Sequence, residues 1–369
     1  CMGLLLVLSS CHTGKQITAS GLQRKDFQTE VNGQHTDLFT LSNKQGMEVC
    51  ITNYGARVVS ILVPDRNGKR EDVVCGFSTI TEYMEQRQNF GSTVGRYIGR
   101  ILNARFTLDG VEYKLVPNNG KSGHISHGGN PGFADRIWKV EQADTHRVCL
   151  SYLSPDGENG FPGNLKVTLV YSLGEDDNAL DLTYEATTDA PTVLNLSHHS
   201  FFNISGNFTK SVEDQQLWVD ADRFTPYDDK KCVTGEYLPV AGTPLDFRMP
   251  HTIGECIDAD HPQLKVVNGY DHTWELNTKG DDTRPAAWVY DPASGRKMEI
   301  FTTEPGMQIY TGNGLKGKMT GKGGIAYPFR SAVCFETMHF QDSPNQPGFP
   351  STVLRPGEVF RSHTVYKFE

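Results

Sequence analysis

A single carboxylate, Glu336, lies in the run SAVCFETMHFQDSPNQP over residues 331–347. Ala332, Val333, Cys334 and Phe335 lead into it as an apolar, strand-like approach, and turn-forming residues follow at once. A carboxylate delivered by an apolar strand is costly to bury unpaired, so it is either matched by a partner or held for chemistry. Two adjacent histidines, His198 and His199, end another apolar strand, TVLNLSHHSFFN, over 192–203. Strand neighbours face opposite sides, which points one of them to a site and the other to the scaffold. In GHISHGG, residues 123–129, the two glycines after His127 let backbone approach a ligand closely. Arg100 in VGRYIGRI offers planar, paired donors suited to hydroxyl oxygens, with a salt bridge as the ordinary alternative. Asp271, in GYDH, is either an acceptor for such hydroxyls or a turn residue after Asn268-Gly269.

Other chemistries fit less well. His124 and His127, with His198, His199 or Glu336, could seed a metal site, but no complete ligand motif is present. GNGLKGKM, residues 312–319, nearly spells a phosphate loop, yet Met319 stands where the magnesium-binding hydroxyl belongs. Residues 94–100 lack the glycine spacing of a dinucleotide fold. Cys50, Cys75, Cys149, Cys232, Cys256 and Cys334 form no C-x-x-C pair, and several sit in strand-like runs as small buried hydrophobes.

The elements that must position these residues are strands. Residues 56–63 are β-branched and lead into an Asn67-Gly68 turn. Residues 105–108 and 111–115 flank Asp109-Gly110, a second hairpin. Further strands are expected over 137–140, 147–153, 165–173, 180–186, 287–290, 298–302, 307–311 and 359–368. Helical periodicity is weak; one short helix is expected over 79–88, capped by Thr79 or Thr81. Many strands joined by tight turns, with no Pro/Ser-rich break after Leu38, predict one all-β domain over 35–369.

The Glu336 run and the chain's closing PSTVLRPGE resemble the C-terminal signature of the aldose 1-epimerases (galactose mutarotases). The histidine segment resembles that family's N-x-x-N-H-S-Y-F-N, with His198 in place of Asn and Phe201 in place of Tyr. The resemblance extends to His127 (L-H-G-G, with Ser126 for Leu), to Arg100 (the second arginine of G-R-x-x-[NG]-R-I) and to Asp271 (Y-D-H). It implies a large antiparallel β-supersandwich with few short helices. It also implies Glu336 as catalytic base, His199 as catalytic acid, and Arg100, His127 and Asp271 as sugar ligands. Neither cofactor nor metal is implied. Mutarotation takes a proton from the anomeric hydroxyl and gives one to the ring oxygen, so it needs one base and one acid. The rival readings are a non-catalytic sugar-binding lipoprotein, a hexose-phosphate epimerase using Lys316, Lys318 and Lys322, and a glycosidase or lyase. The last would need a second catalytic carboxylate, for which no motif is found.

Net charge is −9, which disfavours nucleic acid as a partner, since that needs a basic face. Residues 2–8 form an apolar run too short to span a bilayer. It ends in Leu8-Ser9-Ser10-Cys11, which resembles a bacterial lipobox. The expectation is a signal peptide over 1–11, a lipid on Cys11, a polar tether over 12–34, and a monomer anchored in the periplasm or cell envelope.

Overall fold

In the strand Leu165–Leu173 (LKVTLVYSL) every second side chain is buried and those between are more exposed. That is the period-two pattern of a sheet with one wet face. The computed structural model, which describes residues 16–369, places this strand third in a nine-stranded antiparallel sheet. The order is Lys139–Ala143, Arg147–Ser154, Leu165–Leu173, Ala179–Thr188, Phe360–Phe368, Lys297–Thr302, Ala287–Tyr290, Gln216–Val219 and His251–Thr252. The C-terminal strand is thus central, pairing with Ala179–Thr188 on one side and Lys297–Thr302 on the other.

Two smaller antiparallel sheets cover the apolar face. One has six strands: Phe201–Phe202, Val333–Met338, Gly306–Tyr310, Asp271–Glu275, Arg223–Thr225 and Leu238–Pro239. The other has four: Leu38–Ser42, Glu48–Thr52, Arg57–Pro64 and Arg70–Asp72. Leu169, Tyr171, Ile300 and Tyr366 of the large sheet share one core with Val58 and Ile61 of the four-stranded sheet and with Trp274, Ile309 and Phe335 of the six-stranded one. This is the antiparallel supersandwich expected from the sequence, with two short α-helices, Ile80–Gln86 and Pro262–Val267.

Local signals act as the residue types dictate. Asp109-Gly110 closes the Arg105–Leu108/Val111–Lys114 hairpin with Val111 opposite Leu108. Thr79 caps the first helix in a reciprocal box with Glu82. The near-phosphate loop is followed by no α-helix, only a 3-10 turn over Lys322–Gly324, and the Lys322 ammonium turns inward, contacting the Val59 carbonyl and lying 2.5 Å from Asp72. Cys11 and the expected signal segment lie outside the described residues. The expected tether differs from the structure from residue 16 onward. Leu22 and Phe27 are buried in a side cluster, Ala19 and Ser20 donate to Glu48, and Arg24 pairs with Asp37. Leu22 and Phe27, with Val31 partly packed on the same cluster, dock the segment.

Candidate active site

The six-stranded sheet sorts its side chains by parity. On Val333–Met338, Val333 and Phe335 enter the core, and Thr337 reaches Thr364 of the large sheet. Glu336 and Met338 therefore point to the opposite side, into a cavity of about 250 Å³. On Gly306–Tyr310 the same rule sends Met307 and Ile309 inward and Gln308 and Tyr310 to the cavity. Gln308 stands directly across from Glu336 in register. Asp271 begins the next strand and also lines the cavity.

The histidine pair divides as strand alternation requires. His199 lines the cavity. His198 turns away; its Nε2 lies 2.6 Å from Ser200 Oγ, its Nδ1 3.4 Å from Tyr171 OH, and its ring contacts Tyr366. His199 Nε2 is 3.3 Å from Glu336 Oε1, with the two side chains 7% and 4% exposed. The Phe201 ring is stacked on the His199 ring with centroids 5.1 Å apart, and the His127 ring stands near-perpendicular to it with centroids 5.5 Å apart.

The opposite wall comes from the segment around Arg96–Gly99 and from the histidine–glycine turn. Arg96 is a strut: it donates to the carbonyls of Pro162 and Gly163 and to Ser154, and is 2% exposed. Arg100, four residues on, lines the cavity, with Gln341 Oε1 accepting from its backbone N–H at 3.2 Å. His127 N–H donates to the Gly99 carbonyl, and His127 Nδ1 accepts from Gly99 N–H at 3.4 Å. That contact makes Nε2 the protonated nitrogen of the neutral ring, a donor to whatever fills the cavity. Gly128 has no substitute here: at φ +77°, a Cβ would lie 2.0 Å from the Gly95 carbonyl oxygen. His124 is elsewhere, its Nδ1 accepting from Asn103 N–H and its Nε2 3.3 Å from Cys232 Sγ. The His124/His127 metal grouping therefore does not form.

Burial governs the protonation of the central groups. It pushes Glu336 well above the ordinary carboxylate range, with the nearby Asp271 charge adding to the effect. It holds His199 well below the usual imidazole range and takes His127 down to about 4, with Arg100 contributing to the latter. Asp271 is raised by burial, against the pull of Arg100 and of Gln308, whose Nε2 donates to it at 2.7 Å.

All five residues singled out in the sequence line one cavity. Two further cavity-lining side chains, Gln308 and Gln341, and the partners that hold them escaped the sequence reading. Gln341 Nε2 donates to Tyr227 OH at 2.7 Å, and Thr273 Oγ1 donates to Gln308 Oε1 at 2.5 Å. This network fixes the residues beside Arg100 and Asp271. Its signal is the cross-strand register, which a single chain does not display.

Comparison with known proteins adds an independent observation. The profile of the Aldose 1-epimerase family matches residues 37–367. The chain is 39% identical to the galactose mutarotase of Sus scrofa, over 89% of this chain and 93% of that one. It is 36% identical to the aldose 1-epimerase of Escherichia coli K12, over 91% and 96% respectively. The crystal structure of an aldose epimerase homologue from C. elegans superposes with a TM-score of 0.83 at 31% identity, covering 90% of this chain and 99% of that one.

The chain belongs to the aldose 1-epimerase family.

In this aldose 1-epimerase, Phe201 stands where the family motif has Tyr, and its apolar ring forms the floor under His199. Tyr310, whose hydroxyl is committed to the Gly314 N–H at 2.6 Å, closes the adjacent wall.

Proposed function

We propose that Glu336 and His199 form the acid–base pair with which this aldose 1-epimerase interconverts the α and β anomers of free aldohexoses, glucose and galactose among them. The observation that carries the assignment is their 3.3 Å approach in a cavity also lined by Arg100, His127 and Asp271. Glu336 takes the proton from O1 while His199 delivers one to O5. The C1–O5 bond breaks, and the aldehyde carbonyl forms at C1. Rotation about C1–C2 presents the other face, and the ring closes with both transfers reversed. No atom is gained or lost, and the pair ends as it began.

The pair carries one proton through this cycle. Before ring opening the state is carboxylate with imidazolium; after it, carboxylic acid with neutral imidazole. In water the charged state is favoured by about two pKa units, roughly 3 kcal/mol. Burial disfavours both charges, raising Glu336 and lowering His199. It therefore shifts the balance from the charged state toward the neutral one, the direction in which ring opening moves the proton. The His127 Nε2–H, the Arg100 guanidinium and the Asp271 carboxylate are placed to hold hydroxyls while C1 turns.

A phosphorylated hexose is less well served. Lys322 is tied to Asp72, and neither Lys316 nor Lys318 lines the cavity. A binding protein without catalysis would have no use for a buried acid–base pair, whose desolvation is costly. Freshly dissolved α-galactose followed by polarimetry decides: the protein should speed the drift in proportion to its concentration. A rate equal to that of buffer contradicts the assignment.

We also propose that the protein acts as a monomer, checked by light scattering after gel filtration. We also propose that Cys11 carries a lipid and holds the domain at a cell-envelope membrane. Thr18 and Leu22 are already buried in the domain, a short step along the chain from Cys11. Detergent-phase partitioning of the full chain, lost in Cys11→Ala, is the expected result; equal partitioning of both contradicts the anchor.

A further inference from the structure

Cys334 is a thiol that the proton-transfer scheme does not use. It sits two residues before Glu336 on the same strand and hence on the same side of it. It is free and fully buried. Its sulfur, the His199 ring nitrogen and a Glu336 oxygen all lie within 4.8 Å of one another. This is the His/Cys/carboxylate cluster with ligand spacing among the described residues. Tetrahedral zinc with bonds of about 2.0–2.3 Å sets its nitrogen and oxygen ligands roughly 3.4 Å apart, and sulfur roughly 3.6 Å from either. His199 Nε2 and Glu336 Oε1 already stand at 3.3 Å. The sulfur needs to close by little more than 1 Å at most, within reach of a side-chain adjustment. One sulfur, one nitrogen and one oxygen make a donor set for a borderline or soft divalent cation, not for magnesium or calcium. The remaining position of the metal would face the cavity proposed to bind the sugar.

We propose that Cys334, His199 and Glu336 form an inhibitory site for a thiophilic divalent cation, zinc or cadmium, that competes with the sugar. A bound cation occupies the carboxylate lone pair that would accept the O1 proton and the imidazole nitrogen that would deliver one to O5. Occupation by metal and turnover of sugar therefore exclude one another. The inference concerns binding, so its readout is independent of the mutarotase assignment. An inactive protein can still show the metal site, and an active one can lack it.

The test is a cadmium titration of the full chain, followed by the ultraviolet thiolate-to-cadmium charge-transfer band. Wild type should gain a one-equivalent band that Cys334→Ser lacks, the other cysteines contributing equally to both proteins. Saturating galactose should weaken that binding by at least about tenfold. In the rate assay, zinc should inhibit competitively with galactose, chelator should reverse it, and magnesium should do nothing. Cys334→Ser should keep its basal rate within about twofold and need at least about tenfold more zinc for the same inhibition, the scale on which changed metal surroundings act. Glu336→Gln, which keeps the thiol, should also bind cadmium at least about tenfold more weakly; it is the check should Cys334→Ser fail to fold. An unchanged cadmium titration in either folded variant overturns the proposal, as does binding indifferent to galactose in a protein whose mutarotase rate galactose saturates.

Discussion

Replacing Glu336 by Gln removes a buried charge-bearing group and leaves shape almost untouched. Its effects on rate and on stability should run in opposite directions. Among the described residues the carboxylate has one polar partner, His199, and it is 3% exposed. The amide cannot accept the O1 proton, so kcat should fall about 10²–10⁴-fold, roughly 3–5 kcal/mol of barrier. Stability responds through linkage. Burial raises the folded pKa of Glu336 above its unfolded value. Between those values the native state binds more protons than the unfolded chain, so this group costs stability increasingly as pH rises through the window. Each unit of elevation costs about 1.4 kcal/mol above the folded pKa. Glu336→Gln removes that cost and should melt at or above the wild-type temperature at pH 7, with the difference shrinking toward pH 4. Polarimetry on α-galactose and thermal melts across pH measure both. Full activity in the variant would refute the base assignment. A melting temperature well below wild type at pH 7 would refute the idea that the carboxylate is held at a cost.

Further expectations concern the pair's proton and its supports. Because burial lowers His199 and raises Glu336, kcat/KM should show a plateau around neutral pH. The acid limb, where a second proton charges the pair, should lie below pH 6.5, and the alkaline limb, where the last proton leaves, well above pH 4.5; an acid limb above pH 6.5 contradicts this. Gln341→Ala frees the backbone beside Arg100 and should raise KM about five- to tenfold, the scale of one hydrogen bond, with little change in kcat. A pure kcat loss in steady-state kinetics would place Gln341 differently. Arg96→Met strands the carbonyls of Pro162 and Gly163 and should cost at least about 3 kcal/mol in denaturant unfolding.

Much of the site was legible because chemistry and period coincide. Glu336 follows an apolar strand, and alternation alone says that Phe335 and Glu336 part company, as they do. The same rule separates His198 from His199. The hairpin at Asp109-Gly110 and the Thr79 cap are local, and both formed where their residues dictate. Gln308 was not legible, because its position opposite Glu336 is a matter of register between strands some thirty residues apart. Gln341 lay in the quoted run, yet nothing local says that its amide reaches Arg100 and Tyr227. The packing of residues 16–34 turned on Leu22 and Phe27: the Arg24–Phe27 turn rests on the Leu38–Ser42 strand and the Ile80–Gln86 helix, where Phe27 meets the Tyr83 ring, a surface that exists only once those elements have assembled.

The central claim is that Glu336 and His199 work as one proton-carrying unit. A double-mutant cycle on kcat tests it most directly, with wild type, Glu336→Gln, His199→Asn and the double variant assayed by polarimetry on α-galactose. The account predicts that each single change costs about 10²–10⁴-fold and that the double variant is no worse than the poorer single one within a few-fold. Losses that multiply, or a single variant that keeps the wild-type rate, would contradict it.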